Sequence, residues 1–287
     1  MPAMTGRIFE QEQGAPLGTF HALRTHAVVS APIARGRHAV IVFSPGFGLT
    51  GALYTTLLED LAAHGYVVAS IDPTYEAFAV QFPGGRVEKP RVPKTLDALE
   101  QSLAVRIADA RFVLGRLAAL ERRGRFAGRL DLARVGVVGH SIGGATAVNI
   151  LLVDRRFRAA VDLDGSILGP VVGRRLGRPV MLLTSNGAYR EDPTLQRLWA
   201  RLDGPRIRLL VARSGHYTFS DLAVLLPQFG PAVPPGLQYD PIGTIPPGQA
   251  IPAIRAALEA FFDRYVRDRP TPLLERPSSA FPVLRRF

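Results

Sequence analysis

The chain has 287 residues, 47% of them hydrophobic and 21% charged, with no cysteine and a net charge of +11. Such a composition suits a globular protein with one generous core, and the lack of cysteine excludes disulfides, thiolate nucleophiles and thiolate metal sites. No apolar run approaches the roughly 18 residues needed to cross a bilayer.

In chain order, "MPAMTGRIFEQEQG" lacks the basic start and the apolar stretch of about 7–15 residues that mark a signal peptide. A cytoplasmic protein and the mature form of an exported one would both read this way, so localisation stays unassigned. The first thirty residues, including "TFHALRTHAVVS", suit one or two antiparallel edge strands. Short β-rich runs follow at 38–43 ("HAVIVF"), 66–71, 134–139, 159–164, 179–184 and 206–211. Most are near-continuously apolar, the pattern of parallel strands covered on both faces. Between them, residues 51–65, 96–124, 142–154 and 192–204 carry helical spacing, several ending at Gly. The alternation predicts an α/β fold in one domain over residues 1–287: a mostly parallel central sheet, helices on both faces and an antiparallel N-terminal edge. Long Pro/Gly-containing connections at 76–95 and 229–249 are expected near the functional site. Their Phe78, Phe82 and Phe229 either wall a pocket or cover core. An amphipathic helix, "AIPAIRAALEAFFDRYVRD", comes next, and the tail from Arg269 packs across the surface or frays.

The stretch "VGVVGHSIGGATAVNI" (135–150) concentrates glycine where a strand gives way to a helix. Gly139-His140-Ser141-Ile142-Gly143 satisfies G-x-S-x-G in the strand-to-helix context that gives this motif its meaning. The plain reading is a glycine-rich turn whose serine caps the helix. The context favours the other: Ser141 is a nucleophile, with helix N-terminal amides placed to hold an oxyanion. The architecture is then an α/β-hydrolase fold, in which the order along the chain is serine, acid, histidine.

A serine nucleophile requires a base, in practice a histidine oriented by a carboxylate. Of six histidines, His21, His26, His38 and His64 precede Ser141, and His140 adjoins it with its side chain expected to point away. His216, beyond the strand at 206–211, is the one that follows. Among carboxylates between 141 and 216, Asp154 and Asp203 end helices, Glu191 and Asp192 precede Pro193, and Asp192 reads as an N-cap. Asp162 and Asp164 remain, on "AAVDLDG". Asp164, at the strand end, is favoured as the acid, with Asp192 the runner-up and Asp162 read as a buried structural carboxylate. The second oxyanion donor is expected from "FSPGFG", so the donors are the N–H groups of Phe47 and Ile142. An ordinary Pro-Gly turn is the alternative for that loop.

"FSPGFG", "GHSIGG", "DLDG" and "GHYTFSDL", in this order over much of residues 38–225, resemble the plasma-type platelet-activating-factor acetylhydrolases and their bacterial serine-esterase relatives. "AALEAFFDRYV" resembles a late helix of that family more loosely. The resemblance implies an acid soon after the serine on the next strand, which raises Asp164 above Asp192. It implies Ser141 as nucleophile, Asp164 as orienter, His216 as base, and Phe47 with Ile142 as oxyanion donors. Pro45 stands where the family often has His, and "GSILGP" after Asp164 lacks the family's bulky aromatic; both departures bear on pocket shape.

The expected activity is two-step hydrolysis of short-chain or lipid-type esters, with no metal or organic cofactor implied. Phospholipids and polyesters rank after short-chain esters, and amides share the same chemistry. The partner is a small-molecule or lipid ester. Arginine clusters at 122–129, 155–158 and 174–178 lack interleaved aromatics, which argues against nucleic acid. They leave room for weak association with anionic membrane surfaces. The competing reading from another class is a non-catalytic lipid-interface binding protein on a hydrolase scaffold.

Overall fold

The computed structural model describes residues 1–186, 192–228 and 242–286. Its centre is a seven-stranded sheet formed by β1 (His38–Ser44), β2 (Val67–Ser70), β5 (Leu130–His140), β6 (Phe157–Leu163), β7 (Val180–Thr184), β8 (Arg206–Val211) and β9 (Leu284–Arg286). The strand order is β2-β1-β5-β6-β7-β8-β9, parallel throughout except for β9, which runs antiparallel to β8. A two-stranded hairpin, β3 (Val80–Gln81) with β4 (Val87–Glu88), stands apart.

Two apolar layers sandwich the sheet, and the pleat sorts residues between them. Ile41 and Phe43 of β1 join one layer, under helices α3 (Thr55–Ala63) and α7 (Pro247–Tyr265), whereas Val40 and Val42 join the other. That second layer lies under α4 (Leu96–Arg122), α5 (Ile142–Val153) and α6 (Pro193–Trp199). This is the α/β-hydrolase architecture, and six expected strands fall within a few residues of their observed bounds. Burial on both faces is what made them readable.

The antiparallel N-terminal edge does not exist. Residues Ala3–Gln13 form helix α1, ended by Gly14 in the left-handed region (φ 65°), and Thr19–Ala22 form a short α2. Phe9 of α1 packs edge-on against Phe20 (5.0 Å) and Phe78 (4.9 Å), so this segment is fastened by aromatic contacts and not by strand pairing. Val28 and Val29, within the stretch read as an edge strand, are 73% and 95% exposed. The antiparallel edge comes from the other terminus: the tail ends in β9, paired with β8 through Leu209–Arg286 and Val211–Leu284.

The two long connections differ from expectation in detail. Phe78 is core, and Phe82 lies under the Arg86 guanidinium at 4.2 Å; of the 76–95 segment it is Lys94 that reaches the candidate site. Phe229 and residues 230–241 lie outside the described residues. The described remainder braces the loop carrying His216: Ser214 bridges to Gly243, and the Ile242 carbonyl accepts from Thr218 Oγ1 at 2.7 Å. Among the described residues no helix is long and apolar enough to cross a membrane.

Candidate active site

β5 ends at His140 and α5 begins at Ile142, so one residue makes the turn between them. Ser141 takes φ 56° and ψ −125°, a strained conformation for a residue with a side chain, and its N–H is held by the Leu163 carbonyl at 2.9 Å. The flanking glycines are steric necessities. A Cβ on Gly139 would lie 2.1 Å from the Gly143 carbonyl oxygen, and one on Gly143 would lie 2.0 Å from that of Ser44. The serine turn and the loop after β1 are thus packed backbone against backbone.

His216 opens a short 3-10 turn (His216–Phe219) after β8. Its Nδ1 donates to Asp164 Oδ2 at 2.8 Å, since a carboxylate can only accept, which leaves Nε2 as the free basic nitrogen. The Asp164 side chain is 3% exposed and that of His216 39%. Asp164 Oδ1 accepts from the Ser185 N–H at 2.7 Å. Burial disfavours the charge on Asp164, but hydrogen bonds from His216 and Ser185 outweigh it and hold its pKa below the usual carboxylate range. Asp164 itself has φ 52°, so the chain bends as it leaves β6 and lifts this carboxylate to the histidine.

The other acids lie elsewhere. Asp192 caps α6, accepting from Thr194 N at 2.7 Å and Thr194 Oγ1 at 2.6 Å, in keeping with the N-cap reading. Asp154 is buried and paired with Arg156. Asp162 is fully buried; its Oδ1 accepts from Gly165 N–H at 3.0 Å and its Oδ2 has no partner among the described residues. Burial first, and the neighbouring Asp164 charge second, push the Asp162 carboxyl well above its ordinary pKa. The pKa values of two carboxyls two residues apart are therefore pushed in opposite directions.

Two residues not singled out as functional complete the surroundings. His140 is buried, its ring centroid 4.4 Å from that of His216, and its Nε2–H donates to the His216 carbonyl at 2.9 Å. Burial, reinforced by the adjacent His216, lowers its pKa to about 3, so it is neutral. Its Nδ1 is then the acceptor for the Tyr54 hydroxyl at 2.8 Å, and that oxygen accepts the Gly46 N–H at 3.0 Å. His140 does turn from the serine, as expected of a neighbour in the turn, but only to reach the histidine loop. Nothing local in the sequence marks Tyr54, which meets His140 across 86 residues.

Ser141, His216, Phe47 and Ile142 line one cavity of about 370 Å3, with Leu49, Leu99 and Leu168 supplying apolar wall. The N–H groups of Phe47 and Ile142 have no acceptor among the described residues. Lys94 and Ser166 add polar groups to the same wall. A smaller polar cavity of about 250 Å3 opens where β1 and β5 begin, at the far end of the sheet. There, Arg37, Arg134 and Arg267 already pair with Glu121, Asp131 and Asp263. Within the arginine clusters, Arg158 pairs with Asp268 and Arg175 with Asp203, while Arg178 binds the Asp154 and Phe157 carbonyls.

The family model "Platelet-activating factor acetylhydrolase, isoform II" matches residues 114–265, a span that holds Ser141, Asp164 and His216. The chlorophyllase model matches residues 19–179. A curated protein of Arthroderma benhamiae, named "Probable 1-alkyl-2-acetylglycerophosphocholine esterase", is 27% identical over 263 residues, covering 85% of this chain and 64% of that protein. The platelet-activating factor acetylhydrolase of Cavia porcellus is 23% identical over 240 residues, 70% of this chain and 53% of its own. The chain thus spans between about half and two-thirds of the length of these relatives. Among solved structures, a ferulic acid esterase from Streptomyces cinnamoneus superposes with a TM-score of 0.88 at 38% identity, covering 100% of this chain and 84% of that one.

Proposed function

This chain belongs to the platelet-activating factor acetylhydrolase, isoform II, family, and on that footing we propose that it is a serine esterase acting through Ser141, His216 and Asp164. The observation that carries the reading is the Asp164–His216 hydrogen bond of 2.8 Å beside a serine held at φ 56° on the wall of the same cavity. His216 Nε2 takes the Ser141 proton as the hydroxyl attacks the ester carbonyl. Negative charge moves onto the carbonyl oxygen, where the free Phe47 and Ile142 N–H groups stabilise it. His216 then protonates the departing alcohol, and a water activated by the same nitrogen releases the acid from Ser141. Asp164, ionised below the usual range, keeps the imidazole in the tautomer this sequence of transfers needs.

The cavity volume and its leucine walls suit a compact acyl group, so short-chain esters are the proposed substrates, with short-acyl phospholipids next. A second reading, esters of aromatic acids, is favoured by the match to the ferulic acid esterase over the whole chain. Assays with p-nitrophenyl acetate, butyrate and octanoate beside methyl ferulate separate the two. Ser141→Ala should remove turnover of every ester and labelling by a fluorophosphonate while leaving the fold intact. A wild-type protein inert to both reagents, binding anionic vesicles in a salt-sensitive way, would point instead to the non-catalytic interface role.

A further inference from the structure

Arg106 sits inside α4, well away from the serine turn in sequence, and its side chain is 2% exposed. Its Nε donates to both oxygens of Glu76, at 2.9 and 3.1 Å, and Glu76 is 5% exposed. Nη2 also donates to Glu76 Oε1, and the two Nη groups otherwise reach the end of β1 and the loop that follows it. Nη1 donates to Ser44 Oγ at 2.9 Å and to the Pro45 carbonyl at 2.6 Å, and Nη2 reaches the Gly46 carbonyl at 3.4 Å. A buried guanidinium–carboxylate pair is an expensive way to fasten a loop, because apolar packing of equal volume usually does it as well or better. The pair does, however, fix direction, which apolar packing does not.

Direction is what matters here. In a trans peptide the C=O and the following N–H point opposite ways. The Pro45–Gly46 unit is held at both ends, its carbonyl by Arg106 and its N–H by Tyr54. In the next unit the Gly46 carbonyl accepts from Leu49 N–H at 3.1 Å and from Arg106. The other end of that unit, the Phe47 N–H, therefore faces away from the guanidinium, and Phe47 borders the cavity.

We propose that Arg106, steadied by Glu76, is a positioning residue that aims the Phe47 N–H at the oxyanion formed on attack by Ser141. The proposal rests on the esterase reading above. It acts only on the charged tetrahedral state, so it separates from mere loop anchoring by kinetics.

The test uses the double variant Glu76→Gln/Arg106→Met, which removes the pair without leaving a lone buried charge, and Arg106→Lys, which keeps the charge but cannot fork to both partners. Fold is followed by circular dichroism. The readouts are kcat and KM on p-nitrophenyl butyrate, and the inhibition constant of an alkyl trifluoromethyl ketone, which forms an anionic hemiketal with the serine. The expected result is a kcat lower by about a hundredfold, a matching rise in the inhibition constant, and a KM and pH profile close to wild type. Folded variants with wild-type kcat and inhibition constant would overturn the proposal while leaving the esterase reading intact. Should neither variant fold, the Phe47 amide resonance of the wild type decides: a downfield shift on hemiketal formation is expected, and an unmoved resonance overturns the proposal. Wild-type protein inert to esters and to the fluorophosphonate would remove the esterase reading, and this proposal with it.

Discussion

The His140 ring lies against the His216 ring at 4.4 Å, tilted by 37°, and gives its Nε2 proton to the backbone carbonyl of that same residue. A carbonyl can only accept, so the tautomer of His140 is fixed. The proton order then reads Gly46 N–H to Tyr54, Tyr54 O–H to His140, and His140 N–H to His216. One continuous chain of donors joins the loop after β1 to the loop after β8. Two halves of the proposed machinery are held in mutual register by a neutral imidazole that takes no part in proton transfer.

Tyr54→Phe breaks this chain in the middle, leaving the Gly46 N–H and His140 Nδ1 unpaired in a dry interior. The cost should be about 1–3 kcal/mol of stability, read from urea unfolding at pH 7. Turnover should fall as well, because the Gly46 peptide is then held by Arg106 at one end only. An unchanged unfolding midpoint would mean that the hydroxyl contributes nothing.

His140 predicts an acid-side loss of stability. Its pKa is about 3 in the folded protein and near 6.5 when unfolded, so between these values the unfolded chain binds the extra proton. Stability is therefore full above about pH 6.5 and declines as pH drops, by up to about 1.4 kcal/mol per pH unit. Asp164, whose folded pKa is depressed, adds a loss of the same sign below the usual carboxylate range. Unfolding measured at pH 7, 6 and 5 should show the decline, and His140→Gln should flatten its upper part.

Asp162 works with the opposite sign. Its raised folded pKa means that its stabilisation is complete below the unfolded value and is lost as pH climbs through the folded one. Asp162→Asn, a neutral mimic of the protonated acid, should keep kcat near wild type and gain stability at pH 8. Asp164→Asn should lower kcat by about ten-thousandfold, through loss of the correct histidine tautomer. Equal effects of the two substitutions on kcat would contradict this division of roles.

Gly143→Ala places a methyl 2.0 Å from the Ser44 carbonyl oxygen. Backbone lies on the other side of that contact, so relief must come from moving the loop that carries Phe47. Activity should fall by at least about a hundredfold, with a lower melting temperature; active-site titration then distinguishes fewer competent molecules from slower ones.

Much of this was legible in the sequence because the relevant signals are local. Strands buried on both faces spell themselves as apolar runs, and G-x-S-x-G with its strand and helix fixes where Ser141 stands. Asp192 declares its capping role through Pro193, and chain order singles out His216 as the proposed base. The N-terminal edge misled because Val28 and Val29 are β-branched yet have no strand to pair with, a fact only the packing of Phe9 and Phe20 reveals. Tyr54, Glu76 and Arg106 stayed silent for a different reason. Their partners are 86, 30 and 60 or more residues away, and nothing in the sequence pairs a helix arginine with a loop carbonyl.

The last strand has a practical consequence. β9 covers the open rim of β8 from Leu209 to Val211, immediately upstream of the loop that presents His216. Trimming Leu284–Arg286 would bare a row of unsatisfied amides and carbonyls on an apolar ribbon, an invitation to stick to neighbouring molecules. Versions of this protein that lack β9 should be watched for turbidity before their kinetics are interpreted.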